Sequence, residues 1–172
     1  MYNYTNLQKF LHYIVLGNKF ISKNLFEIEK IIYLDKKKIH KNKHIFISGL
    51  PRSGTTLLLN LLYSSNQFAS LKYSNMPFIL SPNLSKLIPK KTISKKERFH
   101  KDGIVFDLES PEAFDEFFFK MFSNNDEIYE FKNLIKLILK SQNKERYLSK
   151  NNLNYKRADQ LMSLFPNSNF LI

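Results

Sequence analysis

A chain of 172 residues, 43% hydrophobic and 15% aromatic, is long enough to bury one core and too apolar to stay disordered. It has no cysteine, which excludes a disulfide framework and a thiolate metal site, and its four histidines, His12, His40, His44 and His100, are too widely spaced for a local zinc motif, so no metal is expected. The formal charge of +12 raises nucleic acid, an anionic membrane surface or an acidic substrate as partners, but the 23 lysines and four arginines are scattered without a basic, aromatic-interleaved stripe, a composition that A/T-rich coding alone produces; no nucleic-acid partner is expected.

The first element is an amphipathic helix over residues 4–16, with Leu7, Phe10, Leu11, Ile14 and Val15 at three- and four-residue steps and Gly17 as its stop. A second helix is expected from Asn24, as cap, through Leu25, Ile28, Ile31 and Ile32. Residues 1–43 thus read as a helical arm closed by a lysine-rich linker, ahead of an α/β domain over 44–172. The arm's polar faces are not strongly cationic, which favours packing against that domain over a membrane surface. No secretory pattern opens the chain and no segment nears the roughly 20 apolar residues of a spanning helix, so a cytoplasmic protein without a transmembrane segment is expected.

His44 to Ser48 is a β-branched and aromatic run that reads as a buried strand, and Thr55 to Tyr63 follows as an apolar helix. Phe68 to Tyr73 reads as a second strand, and Pro77, Pro82 and Pro89 make the next region extended or looped. Ser110-Pro111-Glu112 has the order of a helix start, cap, proline, then acid, leading through Phe114, Phe117, Phe118 and Met121. Asp126 opens another helix that buries Ile128, Phe131, Ile135, Ile138 and Leu139. A strand over Arg146 to Ser149, a helix over Tyr155 to Leu164 and a strand from Asn169 to Ile172 complete the pattern. Strands alternating with helices point to a three-layer α/β fold with a parallel sheet of the P-loop type.

Between the first strand and its helix lies Gly49-Leu50-Pro51-Arg52-Ser53-Gly54-Thr55-Thr56. In that position backbone N–H groups and the positive end of a helix converge on one anion. Gly54 allows close approach, Thr55 and Thr56 add hydroxyls, and Arg52 supplies a cation from within the loop. The Walker A pattern requires lysine just before Ser/Thr; Thr55 stands there instead, which weakens a nucleotide kinase or NTPase reading.

Pro51-Arg52-Ser53-Gly54-Thr55-Thr56 resembles the 5′-phosphosulfate loop of the sulfotransferase superfamily, in particular bacterial members that use 3′-phosphoadenosine 5′-phosphosulfate (PAPS). Phe68-Ala69-Ser70-Leu71, Met76-Pro77-Phe78, His100-Lys101-Asp102-Gly103 and Ser110-Pro111-Glu112-Ala113 extend the resemblance, as do Arg146-Tyr147-Leu148-Ser149-Lys150 and Phe165-Pro166-Asn167. The resemblance implies that Gly49, Pro51, Arg52, Ser53, Gly54, Thr55 and Thr56 bind the donor, that Arg52 also offsets charge on the leaving oxygen, and that no metal is used. Lys150, at the carboxyl end of a parallel strand, would stabilise the sulfuryl oxygens, with Asn151 and Asn152 as weaker candidates.

The acceptor, an alcohol or amine on a small molecule or glycan, must lose a proton, and families with this loop use histidine or glutamate as the base. His100 is the candidate, with Asp102, Asp107, Glu109 and Glu112 as alternatives. The family's 3′-phosphate motif, an Arg-Asp-Pro-like turn and a later serine, would start where the chain ends at Ile172. The expectation is therefore an N-terminal part of such an enzyme. An inactive fragment or anion-binding module, and a P-loop nucleotide kinase, stand as alternatives.

Overall fold

A computed structural model describes residues 6–34, 43–88, 96–97, 105–122 and 128–172. Among these residues the strands are β1 (Ile45–Ile47), β2 (Phe68–Ala69), β3 (Lys96–Glu97), β4 (Val105–Phe106), β5 (Arg146–Lys150) and β6 (Asn169–Leu171). The α-helices are α1 (Asn6–Gly17), α2 (Lys19–Tyr33), α3 (Thr55–Ser64), α4 (Asp115–Met121), α5 (Glu130–Gln142) and α6 (Ala158–Leu164). Four strands form a parallel sheet in the order β2-β5-β1-β6, while β3 and β4 pair antiparallel outside it.

Successive side chains of a strand point to opposite faces, and the sequence uses this to build two cores. Ile45, Ile47, Phe68 and Leu148 lie on one face, where Leu59 of α3 covers them with Leu58, Leu62 and Tyr63. Phe46, Ala69 and Tyr147 lie on the other, against Phe26 of α2, Phe118 of α4, Leu161 of α6 and a wide stripe of α5. That stripe comprises Phe131, Leu134, Ile135, Leu137, Ile138 and Leu139, all buried; Asn143, left-handed at φ 51°, ends the helix. The result is a three-layer α/β sandwich in which a helix layer covers each face.

The second helix packs into that core. Phe26 is fully buried, and so is Glu29, whose carboxylate accepts from the backbone N–H of Asn83 (2.7 Å) and of Leu84 (2.9 Å) and from the Asn83 amide (2.8 Å). Lys30 bridges Glu27 and Glu130, at 2.8 and 2.9 Å, tying α2 to α5. Among the described residues no helix is long and apolar enough to cross a membrane.

Several boundaries differ from the sequence reading. The second helix starts at Lys19 rather than after Asn24, because Asn18 caps it by accepting from the N–H groups of Phe20 and Ile21; Asn24 sits inside the helix and donates to the Phe20 carbonyl. Ser110 caps no helix. Its hydroxyl closes a turn with Asp107, Pro111 bridges Lys72, and α4 begins only at Asp115. The second strand stops at Ala69, since Lys72 and Asn75 close a 3₁₀ turn over Tyr73–Asn75. The first turn expected of the last helix is 3₁₀, over Asn154–Arg157. Asp126 lies outside the described residues.

Candidate functional site

The strand register brings the site together. Ile47 pairs with Lys150 on one side and Leu171 on the other, so the segment leaving β1 emerges beside the carboxyl ends of β5 and β6. Cross-strand bonds fix it there: Ser48 N–H donates to the Leu171 carbonyl at 2.8 Å, and Asn151 N–H to the Ile47 carbonyl at 3.0 Å. The Ser48 hydroxyl donates to the Asn152 carbonyl at 3.3 Å. The connection from β1 passes through α3 on one face and that from β5 through α6 on the other, so the two diverge at neighbouring carboxyl ends. In open α/β sheets that divergence forms the ligand crevice.

The loop itself is shaped for close approach of an anion. Arg52 and Gly54 both have positive φ, 65° and 82°. Such a conformation is costly for a non-glycine residue, and at exposed Arg52 it falls inside the turn that Ser53 N–H closes on the Leu50 carbonyl. Ser53 closes the turn through its N–H and hydroxyl, both donating to the Leu50 carbonyl, at 3.2 and 2.7 Å. Left-handed backbone at both Arg52 and Gly54, either side of Ser53, is the alternating geometry of anion-binding nests.

The first N–H groups of any α-helix lack intrahelical acceptors and are satisfied by a capping side chain, by water or by a ligand. Helix α3 has none: Gly54 is its cap residue and offers no side chain. Helices α4, α5 and α6 also lack a side-chain cap, and α2 has one in Asn18; what distinguishes α3 is the left-handed loop that leads into it at the carboxyl ends of β1 and β5. The open amino end of a ten-residue helix, with its positive dipole, therefore faces the crevice together with the Arg52 loop.

Gly49 has an identifiable steric role. A Cβ there would come within 2.8 Å of Thr55 Cγ2 and 2.9 Å of Ser53 Oγ. Those two side chains thus close against the backbone that precedes them and set the loop's curvature. Gly49→Ala is expected to cost about 1–3 kcal/mol by overpacking and to lower anion affinity at least tenfold. Urea unfolding beside anion titration checks this; unchanged affinity would mean the loop tolerates the methyl group.

Consecutive acids of α4 hold the strand that carries Lys150. Asp115 is buried and accepts from the Tyr147 and Ser149 hydroxyls, one on each oxygen. Glu116 accepts from the Asn151 amide at 2.8 Å and from Arg157 at 3.0 Å. Residues 147, 149 and 151 are therefore all tied to α4, and half-buried Lys150 sits between the last two. Burial pushes Asp115 up from 3.8 to about 6, against the pull of the Ser149 and Tyr147 hydrogen bonds. Burial also raises Glu116, but the Arg157 and Asn151 bonds outweigh it and hold that carboxylate below its usual value.

The Asp115 shift has a measurable consequence. With a folded-state pKa above its unfolded value, this group's contribution to stability is complete below about pH 4 and is lost as the pH rises through about 6. Between about pH 4 and 7 the native chain should lose about 2–3 kcal/mol more stability than Asp115→Asn. Unfolding curves at the two pH values read this directly, and parallel losses in both proteins would contradict it.

The sequence-derived residues divide clearly. Gly49, Pro51, Arg52, Ser53, Gly54, Thr55 and Thr56 form one loop and helix start, and Lys150 lies on the adjoining strand. His100 and Asp102 lie outside the described residues. Asp107 accepts from Glu109 N–H (2.9 Å) and the Ser110 hydroxyl (3.0 Å), Glu109 pairs with Lys72, and Glu112 accepts from the Tyr73 hydroxyl at 2.9 Å. Asp115, Glu116 and Arg157 went unnoticed in the sequence, where acids in a first helical turn need no other explanation. Among the described residues no three His, Asp or Glu side chains gather as a metal site.

No curated protein and no solved structure matches the chain. A family model described as "Sulfotransferase family" matches residues 44–172, from the residue before β1 to the end of the chain. The match spans the loop, the strand bearing Lys150 and most of the chain, in a fold whose parallel sheet and anion-shaped loop suit it. This chain belongs to the sulfotransferase family.

Proposed function

We propose that the protein transfers a sulfuryl group from PAPS to a hydroxyl or amine of a small-molecule or glycan acceptor. One observation carries this reading: the uncapped amino end of α3, reached through a loop whose Arg52 is held at φ 65° beside the carboxyl ends of β1 and β5. The donor's 5′-phosphosulfate matches what those groups offer, namely backbone N–H donors, two threonine hydroxyls and a guanidinium. When bound, PAPS supplies an activated sulfuryl group on a good leaving phosphate.

The remaining work falls to the chain. Gly49, Pro51, Ser53 and Gly54 shape the loop, whose amides, with Thr55 and Thr56, bind and orient the phosphosulfate. Arg52 neutralises charge on the bridging oxygen as its bond to sulfur breaks, and Lys150 stabilises the sulfuryl oxygens while the acceptor attacks from the opposite side. His100 takes the acceptor's proton, so that a new O–S or N–S bond replaces the cleaved O–S bond. Asp115 and Glu116 position Lys150 by fixing the residues on either side of it.

Transfer of radiolabelled sulfate from PAPS to a panel of alcohols, amines and glycans tests the proposal. Lys150→Met should lower the transfer rate about 100-fold while changing donor affinity less than tenfold, because its partner oxygens gain charge chiefly in the transition state. Equal losses in rate and donor affinity would reassign Lys150 to ground-state binding.

A further inference from the structure

We propose that a cleft beside β2 is a second binding site, for a small hydroxyl-rich anion such as a sugar sulfate or sugar phosphate. The proposal is independent of sulfuryl transfer. The cleft has a volume of about 460 Å³, within the range of small-molecule sites. It lies beside β2, an outer strand of the sheet among the described residues, and includes Tyr63, near the far end of α3. At 1.5 Å per helical residue, Tyr63 is about 12 Å along α3 from Thr55 and the anion loop.

The charge lining the cleft is what selects an anion. Lys72, Lys86 and Lys144 enter from three separate segments, and Glu109 is the one carboxylate lining it among the described residues. Tyr63 adds no charge, since burial, reinforced by the nearby Glu109 and Asp107 carboxylates, pushes its phenol up to about 12. Each lysine is held by a fixed acceptor: Lys72 by Glu109, Lys86 by the Ser141 carbonyl, and Lys144 by the Asn66 carbonyl and side chain at 2.6 and 2.8 Å. An ammonium group has three donors, so these contacts orient the lysines without exhausting them.

The walls narrow the ligand class further. Ser74, Asn75 and Ser85 make the wall polar; all three are buried, the Ser85 hydroxyl donates to the Pro82 carbonyl at 2.8 Å and the Asn75 amide oxygen accepts from Lys72 N–H at 2.8 Å, so they disfavour an apolar guest while the lysines carry the contacts to the ligand. A peptide strand cannot extend the sheet just beyond β2, because the Gln142 side chain takes both the N–H and the carbonyl of Ser70, at 3.3 and 2.6 Å.

Calorimetric titration of the full chain with glucose 6-sulfate, glucose and inorganic sulfate tests this. Glucose 6-sulfate is expected to bind at least tenfold more tightly than either of the others. A Lys72→Gln/Lys144→Gln double variant should lose at least tenfold, and Lys86→Gln at least threefold with the chain still folded at the titration temperature, whereas Arg52→Ala should leave this binding intact. In that outcome, a heparin-derived octasaccharide binding far more tightly than glucose 6-sulfate assigns the site to a glycan chain, and equal affinity assigns it to a free sugar anion. Equal binding of glucose 6-sulfate and glucose, indifference to Lys86→Gln, or loss in Arg52→Ala would overturn the proposal.

Discussion

Arg52→Ala is expected to lower affinity for 3′-phosphoadenosine 5′-phosphate about 30- to 100-fold while leaving the stability of the fold within about 0.5 kcal/mol. The affinity loss follows from removing charge-assisted hydrogen bonds to a phosphate, each worth about 1.5–3 kcal/mol. Stability barely changes because alanine in the same left-handed conformation, φ 65°, carries much the same strain as arginine. Arg52→Gly separates the two effects. Glycine relieves the strain and should stabilise the chain by about 1 kcal/mol, while losing as much affinity as alanine does. Titration and urea unfolding of both variants give the four numbers needed. If Arg52→Gly keeps its affinity, the loop binds through backbone alone and the guanidinium is not part of the site.

The largest loss of stability is expected from Glu29→Ala. Its carboxylate satisfies two backbone N–H groups and one side-chain amide in a buried position, at 2.7 to 2.9 Å. Truncation leaves two backbone N–H groups without an acceptor and removes one of the two acceptors of the Asn83 amide, the Leu137 carbonyl at 3.1 Å remaining. At about 1–3 kcal/mol per orphaned N–H before relaxation, a net cost of about 3–4 kcal/mol and a fall of about 10 °C in thermal midpoint are expected. Glu27, two residues earlier on the same helix and more than half exposed, makes only a surface ion pair with Lys30. Glu27→Ala should therefore cost less than about 1 kcal/mol. Similar costs for the two would show that α2 is a detachable arm and not a part of the core.

Legibility of the fold in the sequence followed the range of the forces involved. The β1 strand, the loop and α3 are set by neighbouring residues: an apolar run, a glycine-bounded turn and an apolar helix, all within twenty positions, and each lies where the pattern puts it. The same holds for β5, β6 and the buried face of α5 from Phe131 onward, whereas Ile128, expected on that face, precedes the helix and is half-buried. Ser110-Pro111-Glu112 misleads because a strong local helix signal loses to a tertiary one. Pro111 pairs across to Lys72 and Glu112 N–H donates to the Leu71 carbonyl, so the helix starts only at Asp115, after a turn that Phe114 N–H closes on the Glu112 carbonyl. Asn18 and Asn24 are both adequate caps by type, and only the backbone at Asn18, extended at ψ 107°, allows capping.

For the site, the loop was legible and its supports were not. Arg52 and Gly54 announce themselves by residue type, but the left-handed conformation of Arg52 cannot be read from an arginine. The position of Lys150 opposite Ile47 depends on β5 entering the sheet between β2 and β1, a pairing over a hundred residues apart in sequence. The Asp115 and Glu116 contacts depend on the same long-range pairing, which is why no local pattern marks them.

Binding of the 5′-phosphosulfate end of PAPS by the Arg52 loop is tested by calorimetric titration of the chain with 3′-phosphoadenosine 5′-phosphate and, separately, with ATP and magnesium. The account predicts saturable, magnesium-independent binding of the bisphosphate that Arg52→Ala weakens at least 30-fold. Binding of magnesium-ATP in preference, or no binding of the bisphosphate to the folded chain, would contradict it.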